Sequence, residues 1–531
     1  MEDQQDNLQE PLLQSSVVIP HHEGHTFTFA NGVTRSVSRR DEVIALTPDW
    51  IWGEVQKQVY IAAPMVCVSL LQYLLTVVSV MFVGHLGELQ LASASIASSF
   101  SNVTGTTLLI GMASALETLC GQAYGAKQYH MLGIHMQRAI FVLYLVSVPI
   151  AVVWWNMDTI LIHLGQDPEI SALAGVYARY LVPTLFGAAT LQPMVKFLQT
   201  QSIVLPMALF SAAAVLIQIP LCWVMIFKLE FGYRSAAIAT SLATWMNAIF
   251  MALYIKFSPR CRKSWTSLST DAFHELGAFT KLAIPSAIMI CLEYWSFEGL
   301  VLLSGLLPNP KLETSTLSIC LTSTALLYMI PFGIGAAVST RVGNELGAGR
   351  PQAAKGAVLI AVGMGLTEGL LMATIMYFAR YIWGTAFTFE EEVIQYVARC
   401  IPLLAFMHIM DSLQGVLSGV ARGCGWQAFG AAANLCAFYV VGLPSAIVLA
   451  FVFDLKGRGL WIGMVGGIVT QAIALSILTL RTNWQKQAED ALLRVYDSAT
   501  ATLPVESNHE KNGDVPALEP FKDNDHDDRK Q

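Results

Sequence analysis

The segment GMASALETLCGQAYGA at residues 111–126 returns as GIGAAVSTRVGNELGA at residues 333–348. Three glycines and the closing alanine of each copy coincide when the chain is shifted by 222 residues. Gly121, for example, falls on Gly343. A coincidence of this kind points to an internal duplication, which has to be tested on the residues outside the motif.

The repeat extends far beyond the motif on both sides. Flanking residues coincide at offsets of 221 to 227: Pro64 with Pro285, Tyr73 with Tyr294, Gly84 with Gly305, Pro220 with Pro444, and Gly232 with Gly459. The near-constant offset indicates two homologous halves, a plan by which many secondary transporters build a central binding site between lobes.

The composition indicates a membrane environment for both halves. Hydrophobic residues make up 54% of the chain, charged residues only 13%, and the mean hydropathy is +0.53. Apolar stretches are long enough to cross a bilayer, which takes about 20 residues each. We read twelve of them, six per half. The predicted fold is an all-α membrane protein with twelve transmembrane helices in two homologous six-helix lobes around a central cavity.

The charge pattern divides the chain further. Residues 484–531 carry eleven Asp or Glu against six Lys or Arg, which is typical of disorder. The predicted units are a disordered cytoplasmic tail at 1–45, an N-lobe with helices 1–6 at 46–257, a basic cytoplasmic inter-lobe loop at 258–280, a C-lobe with helices 7–12 at 281–483, and an acidic disordered cytoplasmic tail at 484–531.

Basic residues in short loops predict the orientation. Lys256, Arg260, Arg262 and Lys263 lie between the sixth and seventh helices, whereas the first and third loops contain no Lys or Arg. Because cytoplasmic loops carry the excess of Lys and Arg, both termini are expected in the cytoplasm. Each half then begins on the same side of the membrane.

A few acidic residues lie well inside the apolar stretches. Glu293 in AIMICLEYWSFEGLVLL and Asp411 in IPLLAFMHIMDSLQGVL have polar or aromatic neighbours and are the candidate proton-coupling residues. Two carboxyl groups close together in a low dielectric cannot both ionise at low cost, so such a pair can hold a proton and attract a cation. Glu298 and Glu368 fit better as protonated, hydrogen-bonded structural acids, and Glu117 lies near the inner end of helix two.

Other function classes have little support in the sequence. Nine cysteines form no CxxC pair, so no metal site or cofactor is expected. His274-Glu275 lacks the second histidine of a zinc-protease motif, and the protein is expected not to be an enzyme. A channel would need a continuous polar pore, but the intramembrane charges are sparse. Lipid flipping and sodium-coupled antiport remain as alternatives.

Four segments resemble the multidrug and toxic compound extrusion (MATE) family in its plant-type branch, and the likeness runs from about Lys57 to Trp484. They are VMFVGHLGELQLASASIA at 80–97, ALETLCGQAYGAKQY at 115–129, MIPFGIGAAVSTRVGNELGAGRPQAAK at 329–355, and LQGVLSGVARGCGWQ at 413–427. The resemblance implies export of organic solutes against a proton or sodium gradient. It also implies coupling roles for Glu293 and Asp411. Ser79 stands where several bacterial members carry an acidic residue, so no N-lobe sodium site is expected.

Alternating access by rocking of the two lobes would require a shared cleft. Gln72, Tyr73, Tyr294 and Trp295 are the candidate substrate-binding residues, since aromatic faces attract organic cations and stack on planar rings. Core packing is an equal alternative for each of these four. Pro285, near the start of helix seven, is the candidate bending point.

These expectations describe a proton-coupled antiporter driven by the proton gradient alone. Expected solutes are organic cations and neutral aromatics, including secondary metabolites such as alkaloids or flavonoids, and xenobiotics. The protein is expected to be a multi-pass monomer in the vacuolar or plasma membrane, without a nucleic-acid partner.

Overall fold

The computed structural model describes residues 26–28, 34–36 and 47–500. Twelve helices within these residues are long and apolar enough to cross a membrane, as the sequence predicted. They are α1 (Pro48–Gly84), α2 (Glu88–Gly125), α3 (Tyr129–Trp155), α4 (Pro168–Thr200), α5 (Leu205–Lys228), α6 (Arg234–Phe257), α7 (Leu276–Ser304), α8 (Pro310–Gly347), α9 (Pro351–Ala386), α10 (Glu391–Cys424), α11 (Gln427–Val452) and α12 (Lys456–Arg481).

Local sequence signals explain where several helices begin. The Thr47 hydroxyl accepts a hydrogen bond from the Trp50 backbone N–H, and Pro48 occupies the first turn of α1. Asp167 caps α4 in the same way, with Pro168 following it. Proline is tolerated at these positions because the first helical N–H groups have no partner within the helix. Helices α1–α6 form the N-lobe and α7–α12 form the C-lobe.

The repeated motif forms the contact between the two lobes. A Cβ atom on Gly125 at the end of α2 would overlap the Asn344 carbonyl of α8, and one on Gly347 would overlap the Gln122 carbonyl of α2. Gly125 corresponds to Gly347 in the repeat, and Gln122 to Asn344. Each motif copy therefore packs against the other across a pseudo-two-fold axis, and the glycines allow this close approach.

The lobes are hydrogen-bonded together at one end of the bundle. This end, here called the termini face, carries the start of α1 at Pro48 and the end of α12 at Arg481. Inter-lobe hydrogen bonds there include Gln58 to Ala357 O, Ser114 to Ser286, Gln122 to Gly423 O, Gln199 to Ala336 O and Asn344 to Thr200 O. The termini face is closed in this conformation.

The opposite half of the bundle is joined differently. The inter-lobe hydrogen bonds of the described residues there run between α2 and α7: the Ser99 hydroxyl donates to Glu298, and the Trp295 indole donates to the Val103 carbonyl. Val103 lies in a π turn, Asn102–Thr106, that widens α2 at this level.

The expectation that residues 484–531 are disordered is wrong for their first part. Helix α13, Trp484–Thr500, follows α12 and lies along the termini face. Trp484, Ala488, Ala491 and Val495 recur every three or four residues and are buried. This apolar stripe gives the acidic segment a face that packs on the lobes, which net composition does not reveal. Residues 501–531 lie outside the described part of the chain.

Two other expected boundaries also need correction. Helix α7 begins at Leu276, inside the segment 258–280 that was expected to be loop, because Phe279 is buried against the bundle and extends the apolar face backwards from residue 281. Within the expected disordered segment 1–45, Thr26–Thr28 and Thr34–Ser36 pair as antiparallel strands β1 and β2. The β-branched threonines favour this pairing. The rest of 1–45 lies outside the described residues.

Candidate functional site

Glu293 lies near the middle of α7 and is held by a residue of α10. The Gln414 amide donates to Glu293 Oε2 at 3.0 Å and lies 3.4 Å from the Ser418 hydroxyl one turn further along α10. Tyr328 of α8 and Gln471 of α12 also face the carboxyl group. Three other helices of the C-lobe therefore supply polar groups around this one acid.

Asp411 lies in the same region, one turn before Gln414 on α10. Its side chain is 5% exposed, and it is close enough to Glu293 and Glu368 to interact with both carboxyl groups electrostatically. The structure thus brings together the two residues that the sequence singled out for proton coupling.

Glu368 of α9 adds a third acid to this cluster. Its Oε1 atom lies 3.1 Å from His408 Nε2, and its Oε2 atom accepts a hydrogen bond of 2.8 Å from the Ser412 hydroxyl. The sequence predicts a structural role for Glu368, whereas its position here is beside Asp411. His408 and Ser412 flank Asp411 on α10, and that pattern was the available signal that another buried acid faces this turn.

The N-lobe candidates lie on α1. The Gln192 amide of α4 donates to Gln72 Oε1 at 3.4 Å. The Gln72 Nε2 atom is buried, and the described residues give it no hydrogen-bond partner. An unpaired buried amide donor costs free energy, so this group is available to a ligand or to water. Tyr73, next to it, is half-buried.

Tyr294 and Trp295 follow Glu293 in the sequence, but their side chains have different partners. Their side chains are 38% and 42% exposed. Tyr294 interacts electrostatically with Glu293 and Asp411, whereas the Trp295 indole binds the Val103 carbonyl of α2 across the lobe boundary. The three consecutive side chains point about 100° apart on the helix. Only Tyr294 of the two aromatic residues is therefore placed beside the acids, as far as the described residues show.

Pro285 lies inside α7, which continues through it without interruption. The next residue, Ser286, shares a hydrogen bond of 2.7 Å with Ser114 of α2. Proline removes one backbone hydrogen bond from a helix, so α7 is weakened where it meets the N-lobe. The described residues contain no group of three or more His, Cys, Asp or Glu side chains arranged to hold a metal ion.

A buried charge cluster at the lobe boundary is the main feature that sequence reasoning missed. Glu117 of α2 accepts from Lys196 Nζ of α4 at 2.5 Å and from Arg422 Nε of α10 at 2.9 Å. Their side chains are 1%, 4% and 6% exposed. The sequence identifies Glu117 as an intramembrane acid, but its two cations lie 79 and 305 residues away in sequence. No local pattern connects them.

Comparison with known proteins agrees with this architecture. The MatE family model matches residues 64–224 and 285–448, one segment in each lobe. Protein DETOXIFICATION 16 of Arabidopsis thaliana is 50% identical over 447 residues, 84% of this chain and 92% of that protein. Protein DETOXIFICATION 17 of the same plant is 51% identical over 462 residues, 87% of this chain and 95% of that protein.

Solved structures lead to the same assignment. The crystal structure of the eukaryotic MATE transporter AtDTX14 is 49% identical in sequence, has a TM-score of 0.81, and is matched over 84% of this chain and 99% of that one. A Vibrio cholerae MATE transporter, VcmN, shares the fold at 17% identity with a TM-score of 0.73, over 82% of this chain and 99% of that one. The chain belongs to the MATE family of membrane transporters, in company with plant members, and is a transporter rather than an enzyme.

Proposed function

We propose that this transporter is a proton-coupled antiporter that exports organic solutes from the cytoplasm. The observation that carries the proposal is the pairing of Glu293 and Asp411 within the C-lobe. Their counterparts in the N-lobe, Gln72 and Ala189, cannot ionise. Proton binding is therefore assigned to one lobe.

The carboxyl pair supplies both proton binding and solute attraction. With Glu368 also nearby, full ionisation of these acids in a low dielectric is costly, and a proton relieves the repulsion. When one carboxylate is charged, it attracts a cationic solute. When it is protonated, that attraction is lost. Proton and cation thus compete for the same group, which is sufficient for exchange.

The closed termini face defines the state of the transporter under this proposal. If the termini are cytoplasmic, as the basic loops predict, the lobes here are sealed toward the cytoplasm, and alternating access then requires the solute path to lead to the other side. Protonation from that side releases the solute. The protonated form then opens toward the cytoplasm, releases its proton, and binds the next solute.

We assign solute recognition to one group from each lobe. The unpaired Gln72 amide offers a donor from the N-lobe, and the partly exposed Tyr294 ring offers an aromatic face beside the acids of the C-lobe. This combination fits organic cations and neutral aromatic solutes, including alkaloids, flavonoids and xenobiotics. Trp295 takes part by fixing α2 to α7.

The membrane is either the plasma membrane or the vacuolar membrane, because export and vacuolar loading share one direction out of the cytoplasm. In both cases the proton gradient points toward the cytoplasm. We propose a monomer as the working unit, because each chain contains both lobes.

The decisive experiment is uptake of a solute panel by proteoliposomes with the pH gradient imposed or collapsed. We expect accumulation only with the gradient, and little change when sodium is replaced by potassium at fixed pH. Sodium-dependent accumulation that survives a protonophore would favour the sodium-coupled alternative. Movement of fluorescent phospholipid between leaflets, with no solute accumulation, would favour lipid flipping.

A further inference from the structure

The cluster of Glu117, Lys196 and Arg422 is divided unequally between the two lobes. Glu117 and Lys196 both belong to the N-lobe, on α2 and α4, while Arg422 belongs to the C-lobe, on α10. The ring of Phe332, on α8 of the C-lobe, lies 5.9 Å from Lys196 Nζ and 6.0 Å from Arg422 Cζ. All three charged side chains are buried at the closed termini face.

A rigid separation of the lobes affects the two ion pairs differently. The Glu117–Lys196 pair lies within one lobe and survives any rocking motion. The Glu117–Arg422 pair crosses the boundary and must break when the termini face opens. Glu117 then keeps a counter-ion, and only Arg422 loses its partner. Breaking a buried ion pair is costly because it leaves an uncompensated charge.

We propose that Arg422 is a gate residue of the termini face and that Lys196 sets how firmly this contact closes. Lys196 shares the single negative charge of Glu117 with Arg422, so it weakens the bond across the lobes and keeps Glu117 neutralised after opening. The cluster is thereby tuned to open reversibly. The proposal rests on the alternating-access part of the proposed function, not on its proton coupling.

Removal of either cation leaves Glu117 with one cationic partner, but the two substitutions have opposite effects on the free-energy cost of opening the termini face. Arg422→Gln leaves the pair inside the N-lobe, so opening separates no charges within this cluster, although the Glu54–Arg341 pair still crosses the boundary. Lys196→Gln leaves the pair that crosses the boundary, so opening strands Glu117 without a counter-ion. A purely structural role in packing would make both substitutions loosen the protein in the same direction.

Single-molecule fluorescence on the full chain in lipid nanodiscs can measure the gate directly. Dyes are attached to cysteines that replace His130 and Lys355, two exposed residues at the starts of α3 and α9. The distance between the dyes reports the separation of the lobes at the termini face. The two exposed cysteines, Cys67 and Cys436, are replaced by alanine. The measurement uses no ion gradient, so its outcome is independent of a failure of the proton-coupling assay.

We expect Arg422→Gln to shorten the closed dwell time about tenfold or more, and Lys196→Gln to lengthen it by a similar factor, as befits a buried ion pair. Arg422→Lys, which keeps the charge, should stay nearer the parent protein. Equal signs for the two glutamine variants would overturn the proposal. If Arg422→Gln does not accumulate in the membrane, a closed dwell time of Lys196→Gln that is unchanged or shorter overturns it alone.

Discussion

The N-lobe and the C-lobe contain equivalent hydrogen bonds from a glutamine amide, but the acceptor is a neutral amide in the N-lobe and a carboxyl group in the C-lobe. In the N-lobe, Gln192 of α4 donates to Gln72 of α1, and in the C-lobe, Gln414 of α10 donates to Glu293 of α7. Gln192 and Gln414 are 222 residues apart, and Gln72 and Glu293 are 221 apart, so all four occupy equivalent positions. The geometry of this contact is the same in both lobes, while an amide in one stands where the other has an acid.

A second pair of equivalent hydrogen bonds, between neighbouring helices, shows the same difference between the lobes. Thr190 of α4 shares a hydrogen bond of 2.7 Å with Tyr144 of α3, whereas Ser412 of α10, its counterpart, donates to Glu368 of α9. The hydroxyl kept its role in joining two helices, but its partner is a neutral phenol in one lobe and an acid in the other. The additional acids of the C-lobe thus lie where the shared scaffold supplies hydrogen-bond donors.

Glu293→Gln should have the largest effect, because it gives the C-lobe the neutral pair found in the N-lobe. Gln at this position can still accept the Gln414 hydrogen bond, so folding should be retained while proton binding is lost. We expect solute accumulation driven by a pH gradient to fall to the level of protein-free vesicles. Asp411→Asn should behave in the same way.

Glu298→Gln is the matched control for this prediction. Glu298 lies on the same helix as Glu293, but its hydrogen bond is to Ser99 of α2 and not to α10. It should keep at least about half of the parent transport rate, since the glutamine carbonyl still accepts the hydrogen bond from Ser99. Parent-like transport by Glu293→Gln at normal abundance would remove the assigned difference between the lobes.

Glu368→Gln should have an intermediate effect. It keeps an acceptor for Ser412 but removes the negative charge beside His408 and Asp411. We expect initial rates to fall about tenfold and the dependence of rate on external pH to change, since Asp411 loses a neighbouring charge. Thr190→Val, which removes the equivalent N-lobe contact, should lower the rate without changing the pH profile. A parallel change in both pH profiles would contradict the comparison.

Cysteines at Tyr73 and Tyr294 should show whether the two lobes face a common cleft. In a background without reactive native thiols, both should react with a water-soluble thiol reagent, and solute should slow at least one reaction several-fold. The rate should also change with external pH as the cleft opens or closes. Labelling by lipid-soluble reagents alone would place these faces against the bilayer.

The repeat and the hydropathy were sufficient to predict the fold, because both can be read directly from the order of residues along the chain. The twelve helices follow from apolar length, and Gly125 with Gly347 already marked the motif that joins the lobes. The acids Glu293 and Asp411 could be identified because a charged side chain in hydrocarbon costs free energy and is therefore rare in a transmembrane helix. The pairing of Glu117 with Arg422 could not be predicted, because it depends on how two separate halves meet.

The segments that follow the last helix of each lobe also differ, and the smallest predicted effect, on thermal stability, comes from this difference. After α6, the chain passes over α3 as an irregular loop, and the Gln137 amide donates to the Ser267 carbonyl. After α12, helix α13 instead reaches the other lobe, where Arg494 Nη1 donates to Gln122 Oε1 at 2.6 Å. The C-lobe end therefore contributes to closure of the termini face, while the N-lobe end stays on its own lobe.

Arg494→Ala should lower the apparent thermal midpoint by about 1–3 °C, since it removes one partly buried, charge-assisted hydrogen bond from a large chain. Lys486→Ala on the exposed side of α13 should leave the midpoint unchanged. Thermal unfolding of both variants in the same detergent measures the difference. Equal midpoints for Arg494→Ala and the parent would mean that α13 rests on the termini face without binding the N-lobe, and closure would then depend on the contacts between the lobes themselves.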